Sequence, residues 1–241
     1  MLRAVVCLPT YNERENLEPM VHALAEVLDL ARDRVLVIDD DSPDGTGVVA
    51  DRLASEFRWV EVLHRPEKTG LGPAYVAGFR RALAAGAGFV LELDCDFSHD
   101  PAVVPQLIAA CEGGADLALG SRYAPGGGIA NWGRSRRVVS RGGSLYARLV
   151  LGVGVRDLTG GFKCFRGETL RAIDLDAITA RGYGFQIEGT YRVLRAGFRV
   201  VEVPITFTDR RVGESKMSAG IVAEAMLQVP LLRLAALRGR L

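Results

Sequence analysis

The sequence predicts an α/β fold, a mostly parallel sheet flanked by helices on both faces. Three observations carry that expectation. Short apolar runs at Ala4–Leu8, Val35–Ile38, Val60–Leu63, Phe89–Leu93 and Leu117–Leu119 recur through the first 120 residues at the spacing of strand–helix–strand units. The segments between them are long enough for crossover helices, which parallel pairing requires. The chain of 241 residues, 49% hydrophobic and 24% charged, is large enough to bury a core without disulfide or metal staples.

Taken in order, Leu17, Val21, Leu24 and Leu28 fall on one face of a first helix. Asp100-Pro101 supplies an N-cap followed by proline at the first helical position, opening a helix toward Cys111 that Gly113-Gly114 ends. Beyond Gly120 the rhythm changes. Ala124 to Gly133, with Pro125 and Gly126-Gly127-Gly128, reads as a mobile loop. A basic helix over Arg136 to Leu151, a helix over Gln186–Ala196 and a strand over Val200–Thr208 follow, with Pro204 marking an edge or a bulge. Residues 217–239 form a loosely amphipathic helical tail, and no internal repeat is visible.

Composition excludes several classes. Cys7, Cys95, Cys111 and Cys164 include no CxxC pair, and His22, His64 and His99 are scattered, so zinc ribbons, thioredoxin sites and His-rich metal centres are not expected. The cysteines read as reduced, buried thiols. No signal-peptide core follows the N-terminus, and the most apolar stretch, Ile221 to Leu237, is broken by Glu224, Gln228, Pro230 and Arg233. A cytoplasmic protein, at most peripheral to a membrane, is expected. The net charge of +1 hides an asymmetry: residues 1–120 carry ten Lys/Arg against twenty Asp/Glu, whereas 121–171 carry ten against two. That pattern suits one region that handles a cation and another that handles an anion.

In open parallel sheets, ligands lie beyond the carboxyl ends of the strands. Those positions hold Pro9-Thr10-Tyr11-Asn12-Glu13, Asp39-Asp40-Asp41, Asp94-Cys95-Asp96 and Ser121-Arg122. Asp94 and Asp96, two residues apart past a strand, suit one hard cation such as Mg²⁺ or Mn²⁺, which completes its shell with water and phosphates. The alternative, that they cap the next helix, is weakened because Asp100 already occupies the cap. The Asp39–Asp41 run suits a nucleoside site better than a receiver-type phosphoacceptor, since a receiver ends near 120 residues. The basic residues Arg122, Arg134, Arg136, Arg137, Arg141, Arg210, Arg211 and Lys216 suit a phosphate-bearing small molecule or lipid. They lack the aromatic interleaving and the motifs of a nucleic-acid site.

These segments, with Lys68-Thr69-Gly70-Leu71-Gly72, Asp157-Leu158-Thr159-Gly160-Gly161-Phe162 and Asp209-Arg210-Arg211-Val212-Gly213-Glu214-Ser215-Lys216, resemble the dolichol- or polyprenol-phosphate mannosyltransferases over residues 4 to 217. The resemblance implies a GT-A fold, Rossmann-like and nucleotide-binding, as one catalytic domain over 1–216. Its donor half would span 1–120 and its acceptor half 121–216, with the tail at 217–241. It implies inverting transfer of mannose from GDP-mannose to a polyprenyl or dolichyl phosphate, with Mg²⁺ or Mn²⁺. Pro9, Tyr11, Glu13, Ile38 and Asp40 would line the guanosine site, and Asp94, Cys95 and Asp96 would meet metal and diphosphate. Arg122, Arg210 and Lys216 would hold donor phosphates and sugar, and Arg136 or Arg137 with Ser140 the acceptor phosphate.

Ser98 replaces an amide that some relatives carry near the metal, leaving a third protein ligand open. The lipid acceptor, and in some relatives an integral membrane partner, would bring the chain to the cytoplasmic face of a membrane. The tail would lie on the bilayer, the core or a partner. Alternatives are a polyprenyl-phosphate glycosyltransferase using UDP-glucose or UDP-GlcNAc, a sugar-nucleotide-forming nucleotidyltransferase, and a non-catalytic lipid- or nucleotide-binding subunit. The nucleotidyltransferase lacks its glycine-rich basic signature after the first strand, and the intact acid pair argues against the binding subunit.

Overall fold

The computed structural model describes residues 2–178, 180, 182–210, 219–239 and 241. The first half alternates as expected: β1 (Ala4–Thr10), α1 (Arg14–Ala25), β2 (Asp33–Asp39), α2 (Thr46–Glu56), β3 (Val60–His64), α3 (Leu71–Ala84) and β4 (Phe89–Glu92). A 3₁₀ turn at Pro101–Val103, capped by the Asp100 carboxylate accepting from the Ala102 N–H at 2.9 Å, leads into α4 (Val104–Glu112) and β5 (Leu117–Ser121). The second half contains β6 (Gly128–Ile129), α5 (Arg134–Leu151), β7 (Lys163–Arg166), α6 (Gly167–Ala172), α7 (Tyr183–Arg195), β8 (Val200–Pro204), β9 (Thr206–Phe207) and α8 (Ala219–Leu237).

Seven strands form one sheet in the order β3-β2-β1-β4-β7-β5-β8. All neighbours are parallel except β7, which runs antiparallel to both β4 and β5. The sequence reading did not anticipate β7. Its four residues, Lys163-Cys164-Phe165-Arg166, begin and end on cations and show no apolar run. The order in which strands are added reverses between β1 and β4, which are parallel, so their carboxyl ends flank the crevice at which doubly wound sheets bind ligands.

The sheet's two faces bury separate cores. One packs Leu17, Met20, Val21 and Leu24 of α1 with Leu107, Ile108 and Cys111 of α4 onto Val6, Leu8 and Leu91. The other packs Tyr75 and Phe79 of α3 and Phe185 of α7 onto Cys7, Ile38 and Phe165. A third, smaller cluster joins Ala147 and Leu151 of α5, Ile187 and Tyr191 of α7, and Val229 and Ala236 of α8.

Two expectations are corrected in detail, and one left open is narrowed. Ala124–Gly133 is not a free loop: Gly128–Ile129 pairs in parallel with Thr206–Phe207, and the Gly128 and Ala130 N–H groups donate to Ile205 and Phe207. The single strand over Val200–Thr208 is two, because after Pro204 the chain leaves the edge of the large sheet and joins β6. The tail helix docks on α5 and α7 through Val229 and Ala236, while Leu227, Leu231 and Leu237 face outward. The expected boundary at 216/217 lies outside the described residues. No helix among them is long and apolar enough to cross a membrane.

Candidate active site

A cleft of about 420 Å³ opens over the carboxyl ends of β1, β2, β4 and β5. Pro9, Tyr11, Glu13, Asp40, Asp94, Cys95, Asp96, Arg122, Arg136, Ser140 and Arg210 all line it, most brought there by parallel strand ends, Arg136 and Ser140 by α5 and Arg210 by the segment after β9. The turns that leave three of these strands pass through left-handed backbone at non-glycine residues: Asn12 (φ 58°) after β1, Asp41 (φ 57°) after β2 and Phe97 (φ 60°) after β4. Such conformations persist only where surrounding structure enforces them, and they cluster at functional sites.

At one end, Asp40 meets Arg65 at 2.6 Å. Burial raises its carboxyl above the usual carboxylate range, and Arg65 opposes that rise. The buried Glu13 carboxylate accepts from Asn16 at 2.7 Å while its backbone N–H donates to Thr46 Oγ1 at 3.0 Å, tying the starts of α1 and α2 together. Lys68 Nζ lies 3.8 Å over the Tyr11 ring, a cation–π contact that closes this end. Asp39 belongs to the scaffold, accepting from Thr10 at 3.2 Å and from the Ser42 hydroxyl at 2.6 Å.

Asp94 and Asp96 stand at the centre. Asp94 is held by the Tyr75 hydroxyl, which donates to Oδ1 at 3.1 Å. Burial, and then repulsion from Asp96, raises the Asp94 carboxyl to about 7. Asp96 accepts the Ser98 N–H at 2.9 Å on Oδ1 and meets Arg210 at 3.1 Å on Oδ2. His99, buried against Phe162 and Phe207, has its pKa lowered to about 4, chiefly by burial, so its ring is neutral at ordinary pH. Among the described residues no group of three or more His, Cys, Asp or Glu side chains gathers as a metal cage.

Arg122 is clamped. Its Nε and Nη2 donate to the two oxygens of the fully buried Asp157 at 2.7 and 2.6 Å, and its backbone N–H donates to Asp157 at 2.9 Å. Thr159 takes a further bond from Nη2 at 2.8 Å. Glu202 holds this loop in turn, accepting from Ser121 at 2.7 Å and from the Arg156 and Asp157 N–H groups at 3.0 and 3.1 Å. At the far end Arg136 pairs with Asp209 at 2.7 Å and lies 4.0 Å over the Trp132 ring, and Ser140 accepts from the Tyr123 hydroxyl at 2.7 Å.

Two expected site residues are not brought to the cleft. The Ile38 side chain is buried in the core under α3, where a Cβ on Gly78 would stand 2.5 Å from its Cδ1. Arg137 turns aside and donates to the Ile129 carbonyl at 3.1 Å, outside the cleft lining. Lys216 and Arg211 lie outside the described residues. The sequence reading missed Trp132, Thr159 and Gln186 as lining residues, and placed Lys68 in a motif without a role. Thr159 and Gln186 lay within or beside segments already singled out, but neither spacing nor residue type marked them.

Sequence comparison assigns the class: the family model of glycosyl transferase family 2 matches residues 5–173, and the chain belongs to that family. It is 50% identical to the undecaprenyl-phosphate mannosyltransferase of Micrococcus luteus, over 100% of this chain and 99% of that protein. It is 49% identical to the polyprenol monophosphomannose synthase of Mycolicibacterium smegmatis, covering 94% of this chain and 85% of the relative. Among solved structures, glucosyl-3-phosphoglycerate synthase from Mycobacterium tuberculosis superposes with a TM-score of 0.66 at 22% identity, over 98% of this chain and 80% of that one. That neighbour establishes the shared fold.

Proposed function

We propose that the chain transfers mannose from GDP-mannose to a polyprenyl or dolichyl phosphate, inverting the sugar carbon and releasing GDP. The observation that carries this reading is the order of groups along one cleft. Pro9, Tyr11, Glu13 and Asp40 stand at one end, the Asp94/Asp96 pair with Arg210 at the centre, and Arg136 with Ser140 at the other end. Beside that last pair the lining becomes apolar at Val139, Met226 and Val229, as a phosphate carrying a prenyl chain requires. The relatives named as mannosyltransferases support the sugar and the acceptor class.

Asp94 and Asp96 would hold Mg²⁺ or Mn²⁺. They fit such an ion: a buried and a partly buried carboxylate close together repel one another, which a cation relieves, and hard ions leave most of their shell to water and phosphate. The solved neighbour has been captured with Mn²⁺ and UDP. Bound there, the ion would neutralise charge on the departing diphosphate.

The chain's own residues do the rest. Arg210, anchored on Asp96, and Lys216 would stabilise the donor phosphates, with Cys95 beside them. Arg122, immobilised by Asp157, presents a pre-oriented cation, an arrangement that needs no reorganisation as charge develops. Arg136 and Ser140 would receive the acceptor phosphate, and Arg137 is withdrawn from that role. The acceptor is already anionic near neutral pH, so no side chain has to take a proton, in keeping with a neutral, buried His99. We propose further that 1–120 serves the donor and 121–216 the acceptor, and that the lipid brings the chain to the cytoplasmic face of a membrane.

Asp94→Asn and Asp96→Asn test this reading. Each should abolish transfer and remove the metal dependence of GDP binding with the fold intact; metal-dependent GDP binding retained in both would contradict it.

A further inference from the structure

Beneath the cleft floor, β4 and β7 place Glu92 opposite Lys163, both 1% exposed, with 3.8 Å between the charges. Lys163 Nζ donates to the Gln186 carbonyl at 2.9 Å and also to Gln186 Oε1. An ammonium carries donors only, so it fixes which end of the carboxamide faces it and turns Nε2 the other way. That nitrogen is buried; one of its N–H groups hydrogen-bonds the Glu92 carboxyl, and the other meets no acceptor among the described residues. Gln186 lines the cleft from the first turns of α7. A Cβ on Gly161 would stand 3.3 Å from Gln186 Nε2 and 3.7 Å from Asp94 Oδ2, so the absent side chain leaves amide and carboxylate bordering one small space.

A buried N–H without an acceptor is costly, and an occupant offering an oxygen recovers that cost. The chemistry of the occupant follows from its two neighbours. The donor phosphates are assigned to Arg210 and the ion, which leaves the space between the amide and Asp94 Oδ2 to another group of the donor. A hydroxyl suits both, accepting from Nε2 and donating to Asp94 Oδ2, because it is donor and acceptor at once. Oδ1 is already engaged by Tyr75.

We propose that Gln186 donates a hydrogen bond to a hydroxyl of the transferred sugar and so helps determine which sugar is accepted. The inference rests on the glycosyl-transfer reading above. A site built around such a bond rejects analogues that lack the hydroxyl, since its polar groups are then left unpaired.

Gln186→Met keeps the length of the side chain and removes the donor. Titrated with Mg²⁺ present, the variant should bind GDP within about twofold of wild type and GDP-mannose about tenfold more weakly, the scale of one lost hydrogen bond. On wild type, one member of a 2-, 3-, 4- and 6-deoxy GDP-mannose series should bind about tenfold more weakly than the parent, and the variant should not distinguish that pair. A variant that keeps the wild-type preference for GDP-mannose over GDP overturns the proposal. So does a wild type that binds every deoxy donor within about twofold of the parent, a result that stands even if the variant fails to fold. A wild type that transfers no mannose to polyprenyl phosphate brings down the glycosyl-transfer reading itself, and is read without any variant.

Discussion

Replacing Asp157 by alanine takes the buried, bidentate carboxylate away from the Arg122 guanidinium. Four hydrogen bonds to the carboxylate disappear, three from Arg122 at 2.6, 2.7 and 2.9 Å and one from the Thr159 hydroxyl at 3.3 Å, and the cation stays where its side chain is 8% exposed. Breaking a buried pair by deleting one partner costs about 3–5 kcal/mol, mostly because the other charge is left unpaired. With a guanidinium-chloride m-value of about 4 kcal/mol/M for a chain of this size, the unfolding midpoint should fall by about 1 M. The double variant Arg122→Met, Asp157→Leu removes both charges and should recover more than about half of the loss, because the buried cation goes with its carboxylate. Denaturant unfolding of wild type, single and double variants decides it. A single variant within about 1 kcal/mol of wild type, or a double variant as unstable as the single, would refute the argument that the pair is energetically buried.

His99 is expected to lend pH dependence to stability. Its folded pKa of about 4 lies below the ordinary 6.5, so the unfolded chain binds its proton first and stability falls as pH drops from about 6.5 toward 4, by about 3 kcal/mol in full. Asp94, raised to about 7, works in the opposite direction, so the test is the difference between wild type and His99→Asn, which should lose this slope. Gly72→Ala should destabilise although alanine favours helices, because the new Cβ would stand 2.4 Å from the Ala180 carbonyl oxygen. Its melting temperature should fall, by the equivalent of about 1–3 kcal/mol for overpacking. Arg136→Met should raise the KM for polyprenyl phosphate about tenfold or more with GDP affinity unchanged, the scale of a charged hydrogen bond, while Arg137→Met stays within about twofold. Equal effects of the two arginines would show that the wrong side chain has been assigned.

What the sequence made legible followed from regular periodicity. The strands β1 to β5 are apolar because both of their faces are covered, and the acids at their ends stand out because nothing in a parallel strand calls for them. β7 was hidden because its buried cation, Lys163, is satisfied by Glu92 and Gln186 from other elements, a long-range pairing invisible in a local window. The same network hides Gln186, a polar residue in a helix start that reads as ordinary. Ile38 was misplaced because it lies inside β2 with its side chain packed under α3, whereas Asp40 follows the end of the strand, where the two-residue period no longer sets which residues share a face. The two-residue strands β6 and β9 are too short for any period to register, and only their mutual hydrogen bonding defines them.

The account's central claim is the transfer of mannose from a guanosine donor to a lipid phosphate. It is tested most directly by incubating the chain and Mg²⁺ with polyprenyl phosphate and, in parallel, GDP-mannose, UDP-glucose or UDP-GlcNAc labelled in the sugar, then extracting with organic solvent. Label from GDP-mannose should enter the organic phase, should not do so without lipid phosphate, and should stay behind with Asp96→Asn. Label entering from a UDP-sugar in preference to GDP-mannose, or from GDP-mannose with Asp96→Asn as readily as with wild type, would contradict the account.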